Sequence, residues 1–169
     1  MRRVALLAVV CLALPGTVNA QARLMVGGGI SIPSGDFADG DFADAVDAGK
    51  HGRVGLQVGV PVFPVSLRAE GEIHSFSEAT GGDKANLING TVSAVLSLGG
   101  IGLSPYVIAG LGSYRFKTSA AEAVTNRGIH GGFGASIGAL GLGGFAEVRL
   151  VNIDGDGRRY IVSTIGFRF

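Results

Sequence analysis

Val65-Ser66-Leu67-Arg68-Ala69-Glu70-Gly71-Glu72-Ile73-His74 is the stretch that decides the fold. Val65, Leu67, Ala69, Gly71 and Ile73 are apolar or small, and every residue between them is polar. A period of two puts the two sets on opposite faces of a β-strand, whereas a helix would scatter both around its circumference. The polar face carries charges of both signs, Arg68 against Glu70 and Glu72.

The same period recurs on both sides of this stretch. Val54, Leu56, Val58 and Val60 alternate with Arg53, Gly55, Gln57 and Gly59. Ile88, Gly90, Val92, Ala94, Leu96 and Leu98 alternate with Asn89, Thr91, Ser93, Val95 and Ser97. Ile129, Phe133, Ala135 and Ile137 oppose His130, Gly132, Gly134 and Ser136. At the end of the chain, Ile161, Ile165, Phe167 and Phe169 oppose Tyr160, Val162, Thr164, Gly166 and Arg168. Leu24, Val26, Ile30 and Ile32 mark a glycine-rich first strand. Ala146, Val148 and Leu150 alternate with Glu147 and Arg149, although Val151 and Ile153 break the polar side. Eight strands are predicted, near 22–32, 51–61, 65–76, 87–98, 105–117, 128–139, 144–153 and 159–169. The connections alternate strictly between short (61–64, 99–104, 140–143) and long and polar (33–50, 77–86, 118–127, 154–158). That alternation is expected of an up-and-down antiparallel barrel with short turns at one end and long loops at the other.

Period two does not say which face is inside. A soluble barrel hides its apolar face, while a membrane barrel turns it to lipid around a polar lumen. The all-β chain is expected to be an eight-stranded transmembrane barrel for three reasons. The charges Arg68, Glu70, Glu72, Glu147, Arg149 and Arg168 crowd onto the polar parity, where a narrow lumen lets opposite signs pair. Strands of ten to twelve residues, at ~3.3 Å each and tilted by ~40°, match a hydrocarbon band, whereas soluble strands average about five or six residues. Most strand aromatics fall near strand ends: Tyr106, Phe145, Phe167 and Phe169 by the turns, Phe76, Tyr114, Phe116 and Tyr160 by the loops, with Phe133 alone central. They are therefore expected to form two interfacial girdles. In the fifth strand both faces hold apolar residues; the expectation is that Tyr106, Ile108 and Tyr114 face lipid and that Arg115 and Lys117 turn inward. An eight-stranded interior is filled by side chains, so an open porin channel is not expected.

Composition sets the outer bounds. The 169 residues suit one domain, and 30 glycines are well over twice the usual ~7%. Residues 1–20 read as a secretory signal: Arg2 and Arg3, an apolar run from Val4 to Leu14, then Val18-Asn19-Ala20 before a cut at Gln21. The apolar run falls short of the ~20 residues a helical span needs. The mature domain is then 21–169. It loses Cys11, the one cysteine, and with it any disulfide or thiolate chemistry. Loss of Arg2 and Arg3 turns the formal charge of +1 slightly negative, so no basic field attracts nucleic acid.

Two ends of the mature chain carry a resemblance. Gly27-Gly28-Gly29-Ile30-Ser31-Ile32-Pro33-Ser34-Gly35-Asp36-Phe37 resembles the opening strand and first loop of the outer-membrane β-barrel domain family, the small OmpA/OmpX-like eight-stranded barrels. Pro105-Tyr106-Val107-Ile108-Ala109-Gly110-Leu111-Gly112 is similar to that family's central strand, and Phe167-Arg168-Phe169 to the terminal signal read by the barrel assembly machinery. Thr164 stands where that signal often has glycine. The resemblance implies an integral outer-membrane protein and no single activity.

Candidate chemistry is sparse. Asp36, Asp39, Asp41, Asp44 and Asp47 crowd the first loop without EF-hand spacing, and a solvated loop is the expected reading. Asp154-Gly155-Asp156-Gly157 starts like a calcium loop but has Ile165 where the closing glutamate belongs, so a hairpin turn is expected. His74 and His130 share the polar parity with Glu72, Glu147 and Ser136, which predicts structural pairing in the lumen; no His-x-Ser pair points to a hydrolase. His51 is expected at a loop edge with no role. No P-loop, dinucleotide fingerprint or zinc spacing occurs. The expectation is a non-enzymatic outer-membrane barrel, structural or surface-interacting through its external loops. No catalytic, cofactor-binding or metal residues and no cofactor are expected. Its expected partners are outer-membrane lipid, the assembly machinery during biogenesis and an unidentified loop ligand, with the chain a monomer. Two alternatives stand beside this: a barrel enzyme modifying envelope lipid, and a soluble periplasmic barrel holding an apolar ligand.

Overall fold

The computed structural model describes residues 22–34, 48–59, 63–77, 84–100, 102–117, 123–139, 142–154 and 159–169. The expected leader at 1–20, the acidic segment from Asp36 to Asp47, and Gly155 to Gly157 lie outside the described residues. Eight strands follow in chain order: β1 (Ala22–Ser34), β2 (Gly49–Gly59), β3 (Val65–Ser77), β4 (Lys84–Ser97), β5 (Leu103–Lys117), β6 (Val124–Ala139), β7 (Leu142–Ile153) and β8 (Arg159–Arg168). Each pairs antiparallel with the next, and β8 returns to pair with β1, so the sheet closes. Closure leaves no open sheet edge, the condition for a β-structure in lipid, where unpaired backbone groups have no water to bond. The last link runs through the end of the chain, where the backbone amides of Leu24 and Phe169 each donate to the other's carbonyl.

The alternation read from the sequence maps onto the barrel wall. Leu24, Val26, Ile30, Val54, Leu56, Leu67, Ile73, Ile88, Val92, Ile129, Phe133, Ile137 and Ile165 all face outward and are exposed. Arg53, Arg68, Glu70, Glu72, Glu147 and Arg149 face inward and are buried. This is a soluble protein turned inside out. Along a strand the outward apolar run covers roughly eight to ten residue steps, which at ~3.3 Å per residue and ~40° tilt gives a belt about 20–25 Å tall. The fold is thus a transmembrane barrel, and the soluble barrel with an apolar interior is set aside by the facing of these residues.

Inside, the lumen is layered. At the loop end Phe76, Leu87, Tyr114, Val151, Ile153, Tyr160 and Val162 form an apolar plug, with Phe116 packed against it. Val151 and Ile153, which break the pattern of β7, are part of this plug. Toward the turn end Val95, Tyr106 and Ile108 form a second apolar cluster. The charged residues lie between the two. Space is shared out by glycine: a Cβ on Gly134 would stand 2.5 Å from the Tyr106 ring, so the ring fits only because β6 has no side chain there. The short turn between β4 and β5 uses Gly99, Gly100 and Gly102, all at positive φ.

Two sequence expectations are corrected. In β5, Tyr106, Ile108 and Tyr114 point into the lumen, Val107, Ala109 and Leu111 face lipid, and Arg115 and Lys117 are exposed on the outside. Tyr106 meets Glu147 and Arg68 inside and the Tyr114 ring packs into the loop-end cluster, and the lumen already balances three arginines against three glutamates. Two more cations turned inward would be buried without counter-charges. For the same reason the girdle reading fails at the loop end: Phe76, Tyr114 and Tyr160 are buried, as are Tyr106 and Phe145 near the turns. The outward aromatics near the turns are Phe63, Phe167 and Phe169.

Candidate functional site: the sealed lumen

β2, β3 and β7 supply the charges, because on each strand the polar residues fall at every second position. Glu147 sits at the centre. Its carboxylate accepts from Arg68 Nη1 at 2.6 Å and from the Tyr106 hydroxyl at 2.8 Å, and faces Arg53 Nη1 at 2.8 Å and Arg149 Nε. Arg149 also reaches Glu70 and, at 3.3 Å, Glu72. Arg53 Nη1 lies 3.4 Å from Glu72 and 3.6 Å from Glu70. Gln57 Oε1 accepts from Arg68 Nε and Nη2 at 3.0 and 2.9 Å. Two rings cover the network: Phe145 stands 5.1 Å from the Arg53 guanidinium and Tyr106 5.3 Å from that of Arg68. Three positive and three negative groups leave the layer formally neutral. All six side chains are no more than 4% exposed, so each depends on the others for the solvation it has lost.

Toward the loop end the network continues through hydroxyls and imidazoles. Ser31 Oγ lies 2.8 Å from His74 Nδ1 and 3.1 Å from His51 Nδ1. His74 Nε2 lies 3.2 Å from Glu72 Oε2, and His51 Nε2 2.9 Å from Thr164 Oγ1. A carboxylate can only accept, so His74 donates from Nε2. The Ser31 hydroxyl has one hydrogen to donate and faces two imidazole nitrogens, so at least one of the two imidazoles donates to it. A continuous hydrogen-bond chain thus runs from Thr164 through His51, Ser31 and His74 to Glu72. Asn89 Nδ2 donates to the same Glu72 oxygen at 3.1 Å. A separate pair joins Ser93 Oγ and His130 Nε2 at 2.8 Å.

Ser31, His74 and Glu72 have the composition of a hydrolytic triad. Ser31 and His74, however, have no exposed surface. The His74 ring is stacked on Phe76 and met edge-on by Tyr160, with centroids at 6.1 and 5.6 Å. The serine hydroxyl is committed to two imidazoles, and the plug stands between it and the loop end. The arrangement orders protons and packs the lumen.

The sequence-predicted residues separate accordingly. Arg68, Glu70, Glu72, Glu147, Arg149 and His74 come together. Arg168 is half-buried at the turn end, outside this network, and Ser136 donates to the Ser104 carbonyl at 3.3 Å. The expectation for His51 is corrected: it is buried in the lumen, held between Ser31 and Thr164. It has the parity of Arg53 and Gln57, and β2 begins two residues earlier than predicted, so the parity signal was present. Thr164 carried only its place on the polar side of the last strand and Ser31 no signal, since only barrel closure brings β1, β2 and β8 side by side.

No family model matches this chain, and no curated protein matches it. Solved structures do. Neisserial surface protein A aligns with a TM-score of 0.67 at 14% identity, over 89% of this chain and 97% of that one. Ail, the attachment invasion locus protein of Yersinia pestis, in complex with the heparin analogue sucrose octasulfate, gives 0.60 at 15% identity, over 89% and 99%. The N-terminal β-barrel domain of Pseudomonas aeruginosa OprF gives 0.54 at 17%, over 89% and 100%. At these identities the likeness is one of fold: this chain has the fold of small outer-membrane barrels.

Proposed function

We propose that this chain is a non-enzymatic integral protein of a bacterial outer membrane, which uses a rigid barrel to hold its external connections at the cell surface. The observation that carries the reading is the layered lumen, a neutral ion-pair network closed above and below by apolar clusters. An eight-stranded interior is filled by its own side chains, which argues against an open channel, and among the described residues Ser31 and His74 have no exposed surface. What remains available to other molecules is the lipid-facing wall and the loop end. The leader-like residues 1–20, the fold shared with surface proteins, and the Ail barrel's complex with a sulfated ligand all support a surface role. Outer-membrane lipid, the assembly machinery and a ligand of the external connections are the partners proposed, with the chain acting as a monomer.

The test is membrane fractionation followed by gel mobility of unboiled against boiled protein. Protein in the outer-membrane fraction that migrates differently after boiling supports the reading. Protein free in the periplasmic extract, with no shift, refutes it. Lipid A mass spectra with and without the protein address the enzymatic alternative, which requires a change in acyl or phosphate groups.

A further inference from the structure

On the lipid-facing wall near the loop end, β4, β5 and β6 enclose an apolar groove of about 530 Å³ capped by cations. Gly90, Val92, Leu111 and Ile129 line it, and Arg127 lies at its rim. The groove exists because of small residues in register: Gly71 pairs with Gly90, Gly90 with Ser113, and Ser113 with Arg127. A Cβ on Gly71 or Gly90 would meet nothing within 4 Å, so the notch is open to the outside. In the next step toward the loops, Arg115 stands beside Ile88 on one side and Thr125 on the other, and Lys117 lies two residues further. Arg115 and Arg127 are diagonal neighbours on adjacent strands, on the order of 7–8 Å apart at the backbone. All three cations are exposed, and none forms an ion pair among the described residues. Asp154 borders the groove beside Arg127, its backbone amide donating to the Arg127 carbonyl at 2.8 Å, and no side-chain ion pair joins the two among the described residues.

The geometry points to a seat for one net-anionic, phosphate-bearing membrane lipid, with an acyl chain in the Gly90 groove and its phosphate held by Arg115, Arg127 and Lys117. Charge complementarity and position argue together. The cations lie at the loop-end margin of the apolar belt, where lipid phosphates lie, and the groove runs down from them into that belt. Arginine donates several fixed N–H groups to a phosphate, and two from neighbouring strands make a fork that zwitterionic headgroups satisfy less well. This inference rests on the membrane reading above and adds a lipid class and a place.

The experiment is native mass spectrometry of the detergent-solubilised mature barrel with diphosphoryl lipid A, the same lipid after enzymatic dephosphorylation, and phosphatidylcholine. Diphosphoryl lipid A is expected to be retained in preference to both others. The double variant Arg115→Gln/Arg127→Gln should weaken retention ~10-fold or more, the scale of losing charge-assisted hydrogen bonds. Gly90→Leu, whose Cβ meets nothing within 4 Å and whose side chain would occupy the groove, should weaken it comparably, while Lys50→Gln on β2 should leave it unchanged. Equal retention of phosphorylated and dephosphorylated lipid, or variants that match the parent, would overturn the seat. Boiled and unboiled gels of every protein keep the two readings apart. A parent without a heat shift fails as a membrane barrel, whereas heat-shifting proteins that do not discriminate fail only as a lipid seat.

Discussion

Replacing Glu147 by Gln tests the layered lumen most sharply. The side chain keeps its shape and its acceptor for Tyr106, but the layer becomes three cations against two anions. Arg53 retains Glu72 at 3.4 Å and Glu70 at 3.6 Å, and Arg149 retains Glu70 and Glu72. Arg68 is left with neutral Gln57 and with Glu70 at 3.7 Å, so it carries most of the loss. Breaking one partner out of a buried ionic cluster costs ~3–5 kcal/mol, because the remaining charge has neither water nor a counter-ion. Glu147→Gln should therefore lose about that much. Adding Arg68→Met, which restores neutrality with a side chain of similar reach, should recover ~2 kcal/mol or more of it. The assay is urea unfolding of protein folded into vesicles. Far-ultraviolet circular dichroism and the gel shift serve as readouts, because the chain has no tryptophan. A cost below ~1 kcal/mol for Glu147→Gln, or strict additivity in the double variant, would refute the claim that charge balance holds the layer together.

Other outcomes follow from the same geometry. Phe133→Arg places a cation on the outward wall, at a residue that is 65% exposed. In vesicles it should cost ~2–4 kcal/mol, whereas a wall facing water would tolerate it with no loss of urea midpoint. Gly134→Ala pushes a methyl into the Tyr106 ring and toward the Ala146 carbonyl, and should cost ~1–3 kcal/mol by the same titration; an unchanged midpoint would show that the ring has room to move. Ser31→Ala strands two imidazole nitrogens and should cost ~1–3 kcal/mol while leaving the lipid A mass spectrum as it was; a spectrum that changes with this substitution would restore the hydrolase reading. Planar-bilayer recordings of the parent should show no steady conductance, and reproducible conductance steps would mean that water passes both apolar clusters.

Strand number, strand bounds to within a few residues and the two faces of most strands were legible in the sequence. Each is a local property. Alternation needs only neighbours two residues apart, and turns announce themselves by glycine, proline and polar composition. The pairing of lumen charges was legible as a class, because Arg68, Glu70, Glu72, Glu147 and Arg149 share one parity. Their actual partners were not, since Arg68 meets Glu147 across a lumen that exists only once β8 has joined β1. β5 shows the limit most directly. Both of its faces hold apolar residues, so parity defined two sets without ranking them, and only the neutral, tyrosine-lined interior decided that Tyr106 and Tyr114 go in and Arg115 and Lys117 stay out. Ser31, His51 and Thr164 meet for the same reason. Closure turns three strands distant in sequence into neighbours, and a hydrogen-bond chain across them is a property of the closed barrel, which no single strand contains.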